Sequence, residues 1–472
     1  MRLRTSLSLV SALALAACAV GPDHVPPALP QAASGPFLST EPGVTSVAPA
    51  DADWWRLYRD PVLDGLVADA LRANTDVRVA VARIGRARAL LREVRAERLP
   101  QAGLGAGADY ARVPESAAGG GDRQHWSFDA GLEIAYEVDL FGRAGRTVEA
   151  AAGDLAAARA DADAVRVATV AETTRAYADA VSAAARQAVA ERIVALLDRS
   201  LDLTERRRGV GLATRLDTAR IASLRDQRRA EVPALVAERK AALFRLATLT
   251  GRAPAELPAE AEGRRTGLAL QQAIPVGDGA ALLSRRPDVQ AAERRLAAAT
   301  ARIGVATADL YPRITLGGAI GSTGASLGEM LSGGPFRWLL GGLLDWSVNR
   351  GPARARIAAA EADSQAALAT FDGAVLRALE ETETALVSYA RTIERRAALE
   401  SSRREAEVAA RIMRARQAEG DIDSLALLDA ERTFADAEAS VAAADADIVR
   451  AQIDLFRALG GSWPRSAAAG AG

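Results

Sequence analysis

The sequence predicts an α+β membrane protein in which a few two-faced strands are set into an otherwise helical chain built from two internal repeats. Three observations carry this. Residues 126–143 read WSFDAGLEIAYEVDLFGR and alternate. Trp126, Phe128, Ala130, Leu132, Ile134, Tyr136, Val138 and Leu140 are apolar, while Ser127, Asp129, Gly131, Glu133, Glu137 and Asp139 between them are small or acidic, with Ala135 the exception. A period of two marks a strand with one greasy and one wet face. Proline is absent from Glu115 to Val232 and again from Ala353 to Trp463, windows that suit very long helices. The 25 residues from Asp76 to Pro100 and the 25 from Asp288 to Pro312 agree at eight positions, as expected of a duplicated unit.

In chain order, Arg2 and Arg4 make a basic start, Leu7 to Ala14 is a short apolar run, and Leu15-Ala16-Ala17-Cys18 closes it. This is the grammar of a secretory signal over 1–17, and the run is too short to span a bilayer. The LAAC ending resembles a bacterial lipobox. Cys18 is therefore expected to carry a covalent lipid (palmitate) as the new N-terminus, and Ala19 is compatible with sorting to an outer membrane. A lipid-modified terminus usually carries more than one chain, which makes the anchoring firm. Residues 18–53 are rich in Pro, Ala, Ser and Gly and read as an extended tether. Order is expected to begin near Trp54-Trp55.

The first repeat covers 54–270. A helix ends at Pro100, a strand follows over 101–111, then a Gly- and Ser-rich loop and a strand over 126–140. Gly145 to about Arg207 is near-continuous helix former, roughly 90–100 Å long at 1.5 Å per residue. The second repeat, 271–463, has strands over 313–322 and 336–348. Phe336, Trp338, Leu340, Leu344, Trp346 and Val348 there alternate with Arg337, Gly341, Asp345 and Ser347, though Leu339 and Leu343 spoil the odd face. Val189, Ile193, Leu196, Ser200 and Leu203 in one long helix, and Val375, Leu379, Thr382, Leu386, Tyr389 and Ile393 in the other, have coiled-coil spacing. Pro233 predicts a kink in the helix that holds it. Gly211 and Gly420 lie 209 residues apart, and Thr214 and Asp423 follow each by three. A Gly that ends one helix and a cap that starts the next predict tight helical hairpins, with tips at 207–214 and 416–423. Residues 464–472 read as a frayed tail.

Four strands of about 10–15 residues are long enough to cross a bilayer at a tilt. They cannot close a barrel, since the smallest membrane barrels have about eight strands. An open edge in lipid leaves backbone groups unpaired at several kcal/mol each. Other copies of the chain must complete the sheet; two would supply about eight strands and three about twelve. Asp129, Glu133, Glu137 and Asp139 would then line a wet lumen, with Trp126, Phe128 and Ile134 facing lipid.

The chain resembles the TolC-like outer-membrane factors of tripartite efflux pumps, in their lipoprotein (NodT/OprM-like) branch. The resemblance is carried by LAAC at 15–18, YEVDLFGR at 136–143, SRRPDVQAAE at 284–293, GVATADLYPRITL at 304–316, LLDAER at 427–432 and LFRALGGSW at 455–463. It runs from the signal to about residue 463. It implies a homotrimer whose twelve-stranded β-barrel, four strands per chain, lies in the Gram-negative outer membrane. A long α-helical barrel would continue it across the periplasm, with a mixed equatorial domain around the short helices, the 251–283 connection and the C-terminal segment. It also implies a periplasmic adaptor and an inner-membrane RND-type transporter as partners. They would dock at tips carrying Arg207, Arg208, Gly211 and Thr214 on one hairpin and Arg414, Arg416, Gly420 and Asp423 on the other. Two departures stand out. Relatives often have an aromatic three residues before the hairpin glycine, where this chain has Arg208 and Gln417. Some carry an acidic ring near the second tip, where this chain has Arg411, Arg414 and Arg416.

Other chemistries find no support. Cys18 is the only cysteine, which rules out disulfides, thiolate zinc sites and thiol catalysis beyond it. Of two histidines, His24 lies in the tether and His125 in a loop, neither with ligand neighbours in sequence, so no metal or cofactor is expected. The single lysine, Lys240, lacks the glycine spacing of a phosphate loop, so energy for transport must come from a partner. A net charge of −1 offers no footprint for nucleic acid. Carboxylate pairs such as Glu380-Glu381, and the arginine pairs 294–295, 395–396 and 403–404, read mostly as solvated helix faces. The expected activity is a passive, non-enzymatic conduit for drugs or other small toxic compounds. A channel for type I protein secretion and a channel-free helical lipoprotein scaffold are the alternatives.

Overall fold

The computed structural model describes residues 19–461 apart from 47, 49–52, 113–123, 265, 266, 271, 332–335 and 420–423. Cys18, the signal, most of the first strand–strand loop, Gly420, Asp423 and the 464–472 tail lie outside the described residues. The elements run β1 (Thr45–Ser46), α1 (Pro61–Ala73), α2 (Thr75–Glu97), β2 (Gln101–Arg112), β3 (Gln124–Val138), α3 (Arg143–Gly209), α4 (Arg215–Leu249) and α5 (Glu260–Gly263). There follow β4 (Ile274–Pro275), α6 (Gly279–Arg285), α7 (Pro287–Ala308), β5 (Arg313–Gly324), α8 (Leu327–Leu331), β6 (Phe336–Asp345), α9 (Gly351–Glu419) and α10 (Ser424–Ala458). The duplication is visible element by element: α2, β2, β3, α3 and α4 are repeated as α7, β5, β6, α9 and α10. Pro233 lies inside α4, which is helical on both sides of it.

Two compact units cut across the repeats, each taking pieces of both. One unit comprises 1–27, 83–159 and 291–372; the other comprises 28–82, 160–290 and 373–472. The first holds a four-stranded antiparallel sheet in the order β2-β3-β5-β6. β3 and β5 pair from Phe128↔Gly324 to Val138↔Ile314 and so join the two repeats. Register settles the faces, because residues paired across antiparallel strands lie on the same side. One face carries Leu104, Tyr110, Trp126, Phe128, Leu132, Ile134, Ile320, Trp338, Leu340 and Leu344. The other carries Asp109, Asp129, Glu133, Glu137, Thr315, Thr323, Arg337 and a pavement of glycines. The large apolar side chains are not covered within the chain: Leu104 is 84% exposed and Trp338 70%. Beside the sheet, α3 and α7 approach closely through small residues; a Cβ on Gly153 would sit 2.9 Å from that of Ala298.

The second unit is mostly helical and holds the main core. Trp54 stacks on Phe456 at 4.6 Å. Leu63, Leu66, Tyr177, Leu246, Ile274, Leu282, Ile453 and Leu459 pack around them. Burying a side chain of this size stabilises by about 1.5–3 kcal/mol. Polar pins hold it. Asp60 caps α1 by accepting from the amides of Val62 and Leu63, and its second oxygen accepts from Tyr177 Oη at 2.9 Å and Arg264 at 2.6 Å. Burial raises the Tyr177 phenol well above its ordinary value, with the Asp60 carboxylate adding to it. Arg285 and Arg286 of the SRRPD motif close the end of α10 by donating to the carbonyls of Leu459 and Ala458, both at 2.9 Å. Burial opposes the charge on Arg286, but its bonds to Asp288 and Glu381 outweigh that and raise its pKa.

Arg395 and Arg396 are largely exposed, as expected, and pair with Asp447 and Asp445 of α10 at 3.0 and 2.9 Å. Two expectations are corrected. The 18–53 tether is irregular but not loose: 19–46 is seated on the protein, and β1 pairs in parallel with β4. The last strand ends at Asp345, not 348, because Trp346 turns away to donate its indole N–H to Leu310 O at 3.0 Å.

Candidate functional site: a two-faced sheet and two helical hairpins

The residues singled out in sequence fall in two places, the sheet in one unit and the hairpins in the other. In the sheet, Asp129 lies between Gly107 and Thr323 in the register, and its carboxylate fills the space over Gly107. Glu133 faces Gly103 and Ala319 and is exposed. Both are on the polar face. Glu137 shares that face but not their freedom. It binds Arg143 through two bonds of 2.9 and 2.6 Å, and Arg313 lies 3.9 Å away. Asp139 departs from the expectation of a wet-face position. β3 ends at Val138, and the Asp139 carboxylate turns to accept from the amides of Ala144 and Gly145 at 3.0 and 2.7 Å. A carboxylate there satisfies free helix N–H groups and meets the positive end of the helix dipole.

The YEVDLFGR motif is thus a strand-to-helix corner. Glu137 locks Arg143, Asp139 starts α3, Phe141 stacks on Tyr311 at 4.6 Å, and Gly142 takes φ +78°. Asp309, Arg313, Asp345 and Arg356 complete a polar hollow of about 150 Å³ at this corner. Sequence reasoning found the motif but not these partners, which come from the other repeat.

At the first hairpin, α3 ends at Gly209 and α4 starts at Arg215. Leu212 N donates to Arg207 O at 2.8 Å and Gly211 N to Arg208 O at 3.0 Å. This is a Schellman closure, and it needs the left-handed backbone that Gly211 provides at φ +81°. Thr214 and Asp217 then form a reciprocal capping box. Bonds from the Thr214 amide, and next from its hydroxyl, hold the Asp217 carboxyl below its ordinary value. Val210 and Leu212 are more than two-thirds exposed. Arg207 donates to Gln417 O at 2.8 Å and so ties the two hairpins together, while Arg208 is exposed.

At the second hairpin, Arg416 is exposed. Arg414 grips Glu431 of α10 through bonds of 2.5 and 3.1 Å, and its guanidinium also lies 6.0 Å from the Phe434 ring. The Glu431 side chain is 2% exposed. The bonds to Glu431 raise the Arg414 pKa despite partial burial. The Arg414 guanidinium, which the resemblance puts at a docking surface, spans the hairpin to Glu431. Glu431 was missed, although LLDAER holds it. Behind both turns, Ile193, Leu197, Leu224 and Ala435 form a small core shared by α3, α4 and α10. Ion-pair rungs flank it, among them Arg192–Glu438 at 2.9 Å, Arg186–Glu238 at 3.0 Å and Arg228–Asp436.

No helix among the described residues is long and apolar enough to cross a membrane. The uncovered apolar face of the sheet exceeds the scattered apolar exposure normal for soluble proteins.

Comparison with known proteins agrees with this geometry. The family profile described as outer membrane efflux protein matches residues 66–252 and 280–461. The chain is 33% identical to outer membrane protein OprJ of Pseudomonas aeruginosa over 461 residues, covering 97% of this chain and 95% of that protein. It is 32% identical to the toluene efflux pump outer membrane protein TtgF of Pseudomonas putida over 341 residues, 70% of each. The solved outer-membrane channel OprN superposes with a TM-score of 0.89 at 37% identity, covering 94% of this chain and all of that one.

Proposed function

The chain belongs to the outer membrane efflux protein family, and on that premise we propose that it forms the outer-membrane channel of a tripartite pump that exports small toxic compounds. The observation that carries the reading is the sheet: four strands, one continuous apolar face, and two outer strands, β2 and β6, with no second neighbour among the described residues. In lipid such edges must be paired. Three copies joined β2 to β6 would give about twelve strands, inside the range of closed membrane barrels. The faces then sort themselves. Trp126, Trp338 and Leu340 meet lipid, and Asp129 and Glu133 meet the aqueous path. The long helices would line the periplasmic part of the conduit, and a lipid on Cys18 would hold the chain to the membrane.

The conduit moves its cargo passively. Energy comes from an inner-membrane transporter of the RND type through a periplasmic adaptor that meets the hairpin tips. Exposed Val210 and Leu212 beside Arg208 suit such a contact. The test is direct: trimers that resist SDS until heated, and single-channel conductance in a planar bilayer. Absence of both would favour a helical scaffold without a pore. Cysteines at positions 211 and 420, cross-linked, should block export if the tips must spread; unimpaired export would end the gating idea.

A further inference from the structure

Leu339 and Leu343 break the alternation of β6, and register places them on the polar face of the sheet. Leu339 is 69% exposed and Leu343 67%. Across β5 from them stand the acidic positions of β3. Leu339 lies in line with Ala319 and Glu133, Gly341 with Gly317 and Ala135, and Leu343 with Thr315 and Glu137. The middle of this patch carries no large side chain. Glu133, Thr315, Gly317, Leu339, Gly341 and Leu343 border a hollow of about 500 Å³. β3 and β6 are two strand spacings apart, so the hollow is roughly 10 Å wide, and the step from Leu339 to Leu343 makes it roughly 13 Å long. A Cβ on Gly341 would meet nothing within 4 Å, and one on Gly317 only the Ile134 carbonyl oxygen at 3.9 Å. The floor is thus bare backbone. The two acidic side chains differ. Glu137 is matched by Arg143, whereas Glu133 is exposed and makes no hydrogen bond or ion pair among the described residues. Arg337 faces Gly321 one rung further on and lines no part of the hollow.

We propose that this hollow is a way station for amphipathic organic cations, molecules with a flat apolar body and one positive charge. The proposal deepens the conduit reading above and rests on it, since that reading makes this face the wall of the aqueous path. The walls select the ligand. The glycine floor lets a flat ring system lie against the backbone. Leu339 and Leu343 flank it, and covering them takes apolar surface out of water. Glu133 supplies the unmatched charge, so a cation is drawn in and an anion of the same shape is repelled. A neutral ring system gains the leucines but not the carboxylate. Both leucines and Glu133 keep contact with water, so binding is weak and release is quick, as a path that must pass its cargo on requires. The station also gives Leu339 and Leu343 a role on a face where the alternation calls for small or charged residues.

The experiment uses the full-length protein in a neutral detergent, with ethidium, a planar aromatic monocation, as the probe. Fluorescence anisotropy should show ethidium binding that weakens as salt rises. Glu133→Gln should weaken it about fivefold, the range of an exposed ion pair. Gly341→Val, which puts a side chain into open space, should weaken it about tenfold by filling the floor. Asp109→Asn removes the same charge from the same face about 20 Å along the sheet and should leave the affinity within about twofold. Anilinonaphthalene sulfonate, an aromatic anion, should not displace the probe. Thermal melts that match the unaltered protein report that each variant is folded. Ethidium held equally well by Glu133→Gln and Gly341→Val, or displaced by the sulfonate, would overturn the site. Conductance in a planar bilayer separates the site from the conduit. Channels that conduct without the ethidium site would end the proposal and leave the conduit standing. An ethidium site with the expected pattern in a protein that never conducts would end the conduit reading, and the way-station role with it.

Discussion

At the end of α3 the chain turns on backbone bonds, with Gly211 in the left-handed region and the Thr214–Asp217 box starting the next helix. Near the end of α9 the second hairpin is gripped by a side-chain pair, Arg414 on one helix and buried Glu431 on the other. The two hairpins descend from one repeat; among the described residues the first turn is closed by local bonds, and the helices that flank the second are joined by a tertiary contact. Local closures cost about the same wherever they occur and survive their neighbours' loss. A buried ion pair depends on both members, because removing either leaves a stranded charge.

The largest effect should follow from Arg414→Ala, which abandons a Glu431 carboxylate that has almost no solvent. Local opening of the second hairpin should become easier by about 3 kcal/mol, read by hydrogen exchange across 408–434. The double variant Arg414→Met, Glu431→Leu should recover most of it, since two apolar groups of similar bulk need no partner. If the double is as poor as the single, the pair is not what holds the hairpin. At the first turn, Gly211→Ala should cost about 1–2 kcal/mol, the penalty of a Cβ in the left-handed region, and the loss should stay within 204–218. Thr214→Ala should cost about 1 kcal/mol there by removing the cap.

The capping box also makes the first turn answer to acid. The Asp217 pKa is lowered in the folded chain. Its contribution is therefore full above the ordinary aspartate value of 3.8 and fades as pH falls through the lower folded value. Exchange at 214–218 should rise only in that acid window, and Asp217→Asn should flatten the rise. Smallest of all, Arg396→Ala removes an exposed rung to Asp445 and should change stability by no more than about 0.5 kcal/mol.

Much of this fold was legible. The alternation in 126–138 announced a strand, and register carried the same two faces across the four strands, with Leu339 and Leu343 of β6 the exceptions on the polar face. The long helices followed from proline-free windows, and the hairpin near Gly211 from a glycine and a cap three residues apart. Strand ends were less legible. Asp139 continues the alternation perfectly, yet the adjoining helix start offered its carboxylate two free amides, and those bonds ended the strand two residues early. The 18–53 stretch misled in the same way. Pro, Ala, Ser and Gly suggest a linker by composition, but a glycine that suits flexibility also suits close approach, and Gly21 serves the second.

The sequence by itself determined what depends on near neighbours: the period of each element, the helix stops and caps, and the doubling of the chain. Only the tertiary structure decided who pairs with whom. With 59 basic and 60 acidic side chains in a chain of 472 residues, no spacing rule selects Glu431 for Arg414 or Asp445 for Arg396. Those choices are made where folding brings distant segments within about 3 Å, and where burial makes an unmatched charge too costly to keep.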